Sequence, residues 1–361
     1  MPSFTVGPVA GDYADWAAVI TYLATVDPLA DDYYFTQTED CAVNNNWPNQ
    51  AVAGNRVDFN GHTVHFLTAN SPNGDPTTGL ITYLTGANGM VDILVENATV
   101  NDHFLMDGLY FRQTAVNNVQ LVRVSTWDGA AGITMDIRDV LVRGFVVGVA
   151  IGLSLGSRAS YLNCSNCNVW RVHEAFYFFD NFGGILVYPG RKVVEECTAS
   201  QHSQRGFRFG AFGSEEMIVR NIVAMDGAGG GGGNFDIEGN VMGINCNLFN
   251  CADSDGTALG TDIVHNIVKA NEFESLLDTN ADFMNLKKGS VAADFSREPA
   301  GNVSVNQSIK FTPTVVLTPG AATLADTGMA PTIQSVDIKG LPIPDKNGDY
   351  PIGAHVTEYE T

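Results

Sequence analysis

One phrase recurs along this chain and limits what the chain can fold into. "IVRNIVAMD" begins at residue 218, "IVHNIVKAN" at 263 and "LVENATVND" at 94. Anchoring on its second residue places Val95, Val122, Val142, Leu162, Val194, Val219, Ile244 and Val264 in comparable settings, at intervals of 20 to 32 residues. A period in this range marks a stacked array, in which one unit cannot bury its apolar face alone and neighbouring units bury it together. Each unit holds short β-branched or aromatic runs separated by Gly, Asn and Asp, without helical periodicity, so the units read as strands. A second tract lies between the anchors: "GITMDI" at 132, "GVAIGL" at 148, "AFYFFD" at 175, "GFRFGAF" at 206, "NFDIEG" at 234 and "DFMNLK" at 282. Each coil therefore carries at least two short strands, with alternate residues such as Phe207 and Phe209 pointing the same way.

Two residues after the anchor stand Asn97, Asn221 and Asn266. Asparagine tolerates left-handed backbone angles and bonds its own backbone, which suits a sharp bend repeated from coil to coil. Cys164 and Cys246 occupy the same slot elsewhere, so the slot serves as a bend in some coils and a core position in others. The long interval around "VHEAFYFFDNFGGILVYPGRK" and the glycine run from Gly229 to Gly233 mark loops that leave the stack or slack between strands.

The bulk numbers narrow the partners. With 361 residues, 45% of them apolar, the chain can bury a large core. Forty acidic residues against 19 basic ones leave a formal charge of -21, spread along the chain. That excludes the Lys and Arg clusters that phosphate backbones need, so no nucleic-acid partner is expected. No apolar run is long enough to insert into a membrane. The opening "MPSFTVGPVAGDYADW" has neither a basic n-region nor an apolar h-region, and synthesis in the cytoplasm without a signal peptide is the expectation. Six cysteines are too sparse for a disulfide scaffold and are expected reduced and buried.

The coil pattern over roughly residues 50 to 290 resembles the right-handed parallel β-helix family, the pectate-lyase-like solenoids that include many phage tailspikes and surface proteins. Both ends carry the same resemblance. "FTVGPVAGDYADWAAVITYL" is similar to the start of many such proteins, a strand and turn followed by a short helix. Trp16, Val19, Ile20 and Leu23 fall on one helical face and Asp12 or Asp15 can cap it, so this helix is expected to plug the open end of the stack. "VDIKGLPIPDKNGDYPIGAHVTEYET", after "PTVVLTPGAATLADTGMAPT", is similar to the closing signature of many β-helix proteins. The expected organisation is an all-β, right-handed parallel β-helix: residues 1–50 as N-terminal strand and capping helix, 51–297 as the solenoid, 298–361 as a C-terminal tail or cap.

Several short patterns carry possible chemistry. "GLSLG", 152 to 156, matches the Gly-x-Ser-x-Gly elbow of hydrolases, but it falls in a repeat strand where Ser154 has no strand-to-helix turn to sit on. "CSNC", Cys164 to Cys167, has zinc-ligand spacing without a second pair at a finger-like distance; a column of buried thiols with Cys197 and Cys246 is the simpler reading. "CADSDGTALGTD" offers Asp253, Asp255 and Asp262 as calcium ligands, against a plain turn between coils. Calcium is the one cofactor the sequence suggests. The resemblance also implies polysaccharide lyases or glycoside hydrolases, for which Arg205, Arg208, Asp226, Asp236 and Glu238 are the available parts. None of them sits in a recognisable catalytic motif, so an enzyme is the weaker expectation. Trp170, His173, Tyr177 and His202 are candidates for an aromatic and basic patch contacting a glycan or a protein neighbour, unless the two aromatics cover the insertion loop. Taken together, the resemblance implies a bacteriophage virion-surface protein, a capsid decoration (cement) or spike-like rod. It is expected as a homotrimer among capsid or tail proteins, with a polysaccharide-degrading tailspike or a glycan-binding adhesin as alternatives.

Overall fold

The computed structural model describes residues 1–43, 56–86, 89–99, 101–116, 120–126, 133–156, 159–179, 191–209, 216–220, 222–226, 235–237, 245–254, 260–264, 267–281 and 283–284. The strands pair in parallel, and each pairs with a strand one coil on, so the chain winds into a β-solenoid with three faces. The first face stacks Ser3–Val6, Tyr33–Gln37, Thr63–Thr68, His103–Asp107, Ile133–Arg138, Ala159–Ser165, Arg191–Glu195, Glu216–Arg220 and the start of Asn245–Asp253. The second stacks Cys41–Val43, Ile81–Leu84, Tyr110–Gln113 and Leu141–Arg143, then the first halves of Asn168–Phe179 and Thr198–Phe209, then Val223–Ala224. The third stacks Arg56–Asp58, Val91–Glu96, Gln120–Thr126 and Ile151–Gly156, then the second halves of the two long strands, then Phe235–Ile237.

Inward positions form continuous columns. On the first face, register places Phe35, Phe66, Met106, Ile137, Cys164, Val194 and Val219 in line, at steps of 25 to 40 residues. On the third face Val91, Val122, Leu153, Phe176 and Phe207 form one column and Ile93, Val124, Leu155, Phe178 and Phe209 another. Phe176 and Phe207 stack with centroids 4.6 Å apart, and Phe178 and Phe209 at 5.4 Å. Phe207 and Phe209 do point the same way, both fully buried. Burying each such ring contributes about 1.5–3 kcal/mol, and its parallel stack on the next coil adds roughly 0.5–1.5 kcal/mol.

This register corrects the anchor column. Val95 and Val122 lie on the third face, Val142 on the second, and Leu162, Val194 and Val219 on the first; Ile244 is outside the described residues. Apolar runs recur at every face, so a 20-residue interval is a step between faces, whereas a whole coil takes nearer 30 residues.

The corners explain why the strands are short. Between the first and second faces Gly108 (φ 72°), Asp139 (φ 55°), Asn166 (φ 52°) and Glu196 (φ 50°) occupy equivalent left-handed positions in successive coils. Asn166 donates its amide to Asp139 Oδ1 of the coil before it, at 3.1 Å. Between the second and third faces Gly144, Arg171, Gln201 and Asp226 are level, and the last three are again left-handed. A Cβ on Gly144 would lie 1.9 Å from the Arg171 carbonyl oxygen, so only glycine fits there. Asn97 is left-handed (φ 50°) at the third corner, where its amide donates to Asp58 at 3.0 Å. Asn221 and Asn266 are outside the described residues, and Cys164 is a core position.

The stack begins at Ser3–Val6, ahead of the boundary expected at residue 51, because that strand already pairs with Tyr33–Gln37. The helix Trp16–Thr25 is capped by Asp15, whose Oδ1 accepts the Ala18 N–H at 2.9 Å, while Asp12 bonds the Thr5 amide at 2.7 Å instead. Its buried stripe is Trp16, Val19, Ile20 and Leu23, as the periodicity predicts. Trp16 stacks on Phe66 at 4.4 Å and donates its indole N–H to Thr82 at 3.0 Å, so the helix packs on the interior of the first coils. Among the described residues no helix is long and apolar enough to cross a membrane.

Residues 267–281 and 283–284 run back over the outer side of the second face. Ile267, Phe273, Phe283 and Met284 pack with Tyr110, Leu141, Trp170, Val223 and Met225 in a second core. The tail and cap expected at 298–361 are outside the described residues, as are the insertion around residue 185 and the glycine run from Gly229 to Gly233.

Candidate functional site

The outer sides of the three faces differ, and that difference locates the candidate site. The second is covered by 267–284. Asp278 anchors the cover: its carboxylate accepts from Trp170 Nε1 at 3.0 Å and from Arg143 Nε, with Arg171 at 3.8 Å. Burial opposes the charge on Asp278, but hydrogen bonds from Arg143 and Trp170 outweigh it and hold the carboxyl below its ordinary value. Trp170 is therefore a fully buried element of the second core, stacked on Tyr110 with Phe283 tilted against it, and does not join a surface patch. His202 is also buried. His173 and Tyr177 remain partly exposed; the His173 ring bonds Ser203 Oγ at 2.8 Å.

On the third face the register sets Asp92, Arg123, Ser154, Tyr177, Arg208 and Asp236 in line. Most of their charge is used between coils. Arg123 pairs with the buried Asp92, and Arg205 and Arg208 both pair with Glu174, whose side chain is 4% exposed. Arg208 lies 4.3 Å over the Tyr177 ring. The structure thus brings Arg205 and Arg208 together, but on Glu174 and not on Asp226. The sequence did hold this signal, because aligning "EAFYF" with "RGFRF" puts Glu174 over Arg205. Asp226 sits at the second corner, its carboxylate accepting the Gln201 N–H at 2.8 Å and its own amide N–H donating to Ser254 Oγ at 3.1 Å. The backbone of Asp236 is paired beside Arg208, and Glu238 is outside the described residues. Ser154 is fully buried in mid-strand, so it forms no elbow.

The suggested calcium loop joins two strands of the stack, Asn245–Asp253 and Gly260–Val264. Asp253 ends the first and Asp262 lies within the second, while Asp255 is outside the described residues.

The first face is where partly exposed titratable groups collect, and sequence reasoning missed it. Its outward column runs Tyr34, His65, Leu105, Asp136, Asn163 and Val193, flanked by His103 and by Asp107 and Arg138. Tyr34 and His65 stack at 4.1 Å, with the His103 ring 6.4 Å further on. Arg138 donates to Asp107 at 2.9 Å and Asn163 to Asp136 at 3.1 Å. Burial pushes the Asp136 carboxyl up and, at the adjoining corner, pushes Asp139 up to about 7; burial also pushes His103 down to about 4. Burial thus favours the neutral form of each of these groups, and Asp139 is the one whose value falls near neutral pH. The signal available in sequence was the tract "MDIRD", 135 to 139, one coil above "MDG" at 106.

No family model, curated protein or solved structure matches this chain. Its function is read from its own geometry.

Proposed function

We propose that this chain is a rigid structural rod of a bacteriophage virion surface, of the decoration (cement) or spike type, working as a homotrimer among capsid or tail proteins. The observation carrying this reading is that side chains pair mainly from coil to coil. Inward columns run the length of the described stack, one outer face is covered by the chain's own 267–284, and the charges of another close on the neighbouring coil. A strand stack of this kind resists bending and proteolysis, because opening one coil exposes the apolar faces of two others. The first face, with its stacked Tyr34 and His65, is the surface left to meet a neighbour.

A second reading rests on the carboxyls of that face: a polysaccharide-degrading spike, lyase or hydrolase, or a glycan-binding adhesin, with Asp139 as the proton donor and Asp136 beside it. Two measurements separate these. Labelled antibody on intact particles, with the oligomeric state of the pure protein, tests the structural role; absence from particles and a monomer in solution would overturn it. Incubation with capsular and envelope polysaccharides, followed by size analysis of the products, tests the other: shortened chains establish an enzyme, retention without shortening an adhesin.

A further inference from the structure

Three thiols meet inside the solenoid. Cys164 and Cys167 come from one coil, and the register that pairs Ser165 with Glu195 and Asn168 with Thr198 brings Cys197 of the next coil level with Cys167. Within the column of buried thiols expected from the sequence, Cys197 stands over Cys167, while Val194 lies over Cys164. The three sulfurs all lie within 4.8 Å of one another, and all three residues are fully buried. Cys167 Sγ is 3.2 Å from the Ser165 carbonyl oxygen and Cys197 Sγ 3.1 Å from that of Glu195, so equivalent backbone groups orient both corner thiols.

We propose that Cys164, Cys167 and Cys197 form an all-sulfur site for a soft d10 cation, and that copper(I) is the ion it suits. Three sulfurs sharing one ion at bond lengths of about 2.3 Å stand about 4 Å apart, inside the 4.8 Å that bounds all three spacings here. Structural zinc takes four ligands, and among the described residues no fourth cysteine, histidine or carboxylate joins the group. Water cannot complete the shell of sulfurs with no solvent exposure. Copper(I) favours soft sulfur ligands and accepts three of them. Cysteine binds as the thiolate, so occupation of all three ligands releases three protons as the ion enters. Because the site spans two coils, the ion would staple them, entering as the coils fold.

The test is to express the full chain in copper-supplemented cells, purify it without oxygen, and measure metal content and copper X-ray absorption. About one copper per chain with a sulfur-only shell is expected. Cys197→Ser should cut the copper retained roughly tenfold or more, and Cys41→Ser, which alters a buried thiol outside the cluster, should leave it unchanged. A folded wild type without copper, nitrogen or oxygen in its shell, or a Cys197→Ser protein that keeps its copper would each overturn the proposal. Zinc retained in preference would overturn the choice of ion. If Cys197→Ser does not fold, the absorption spectrum of the wild type decides.

Discussion

Trp170 donates its indole N–H to Asp278 at 3.0 Å, joining the second face to a segment 108 residues further along the chain. The same carboxylate receives Arg143 and faces Arg171, so one side chain fixes 267–284 against the coils.

Replacing Asp278 by Asn should cost about 1–3 kcal/mol, the range for losing charge-assisted hydrogen bonds at a half-buried site. Amide exchange in 267–284 should rise while the first coils keep their protection. The pH dependence follows from the lowered folded value of Asp278. Its contribution is complete above the unfolded value, about 4, and is lost as pH falls through the lower folded value. The cover should therefore loosen in acid in the wild type, and this pH dependence should be absent from Asp278→Asn.

Asp139 has the opposite sign. Its folded value, about 7, lies above the unfolded one, so its contribution is complete below about 4 and is lost as pH rises through 7. Asp139→Asn keeps the acceptor for Asn166 and suits the left-handed backbone, without the charge. The variant should be more stable than wild type at pH 8, by about 1–2 kcal/mol, and indistinguishable from it near pH 4. Thermal melts across that range check both ends; a constant difference at every pH would contradict the assignment.

Glu174 is the shared partner of Arg205 and Arg208. Glu174→Gln should destabilise the chain by about 3 kcal/mol, since removing one side of a buried ion pair leaves charge without its counter-charge. Arg208→Lys should cost less, about 1 kcal/mol, because the charge stays while the planar stack on Tyr177 is lost. Denaturant unfolding of both variants gives the comparison.

Phe207 lies in the aromatic ladder with Phe176 in the coil before it. Phe207→Ala should cost about 3–5 kcal/mol, because the cavity opens between coils whose spacing is held by their strands and cannot collapse. Phe207→Leu should recover most of that loss. A small effect of the alanine variant in equilibrium unfolding would argue against a continuous ladder.

The polar pairs show how far the sequence could be read. Arg123 with Asp92, Arg138 with Asp107 and Arg205 with Glu174 each join residues 31 apart, the length of one coil. Once the coil length is known, these partners follow from the sequence. Before that, the 20-residue interval hid them, because apolar runs repeat at every face and their spacing confounds faces with coils. Asp226 illustrates the same limit: as a lone acid it suggested catalysis, yet its place is a left-handed corner bonded to the coils before and after it.

Composition and local pattern by themselves determined that this chain forms short stacked strands, with Trp16, Val19, Ile20 and Leu23 as the buried face of an entry helix, since burial of alternate apolar residues depends only on near neighbours. Tertiary structure alone decided which residues share a column, why Trp170 is buried under Phe283, and that Cys197 meets Cys164 and Cys167. Those outcomes depend on the exact number of residues spent at each corner. Sliding one strand by a single residue against its neighbour turns that strand's side chains to the opposite face, and no local preference encodes the register.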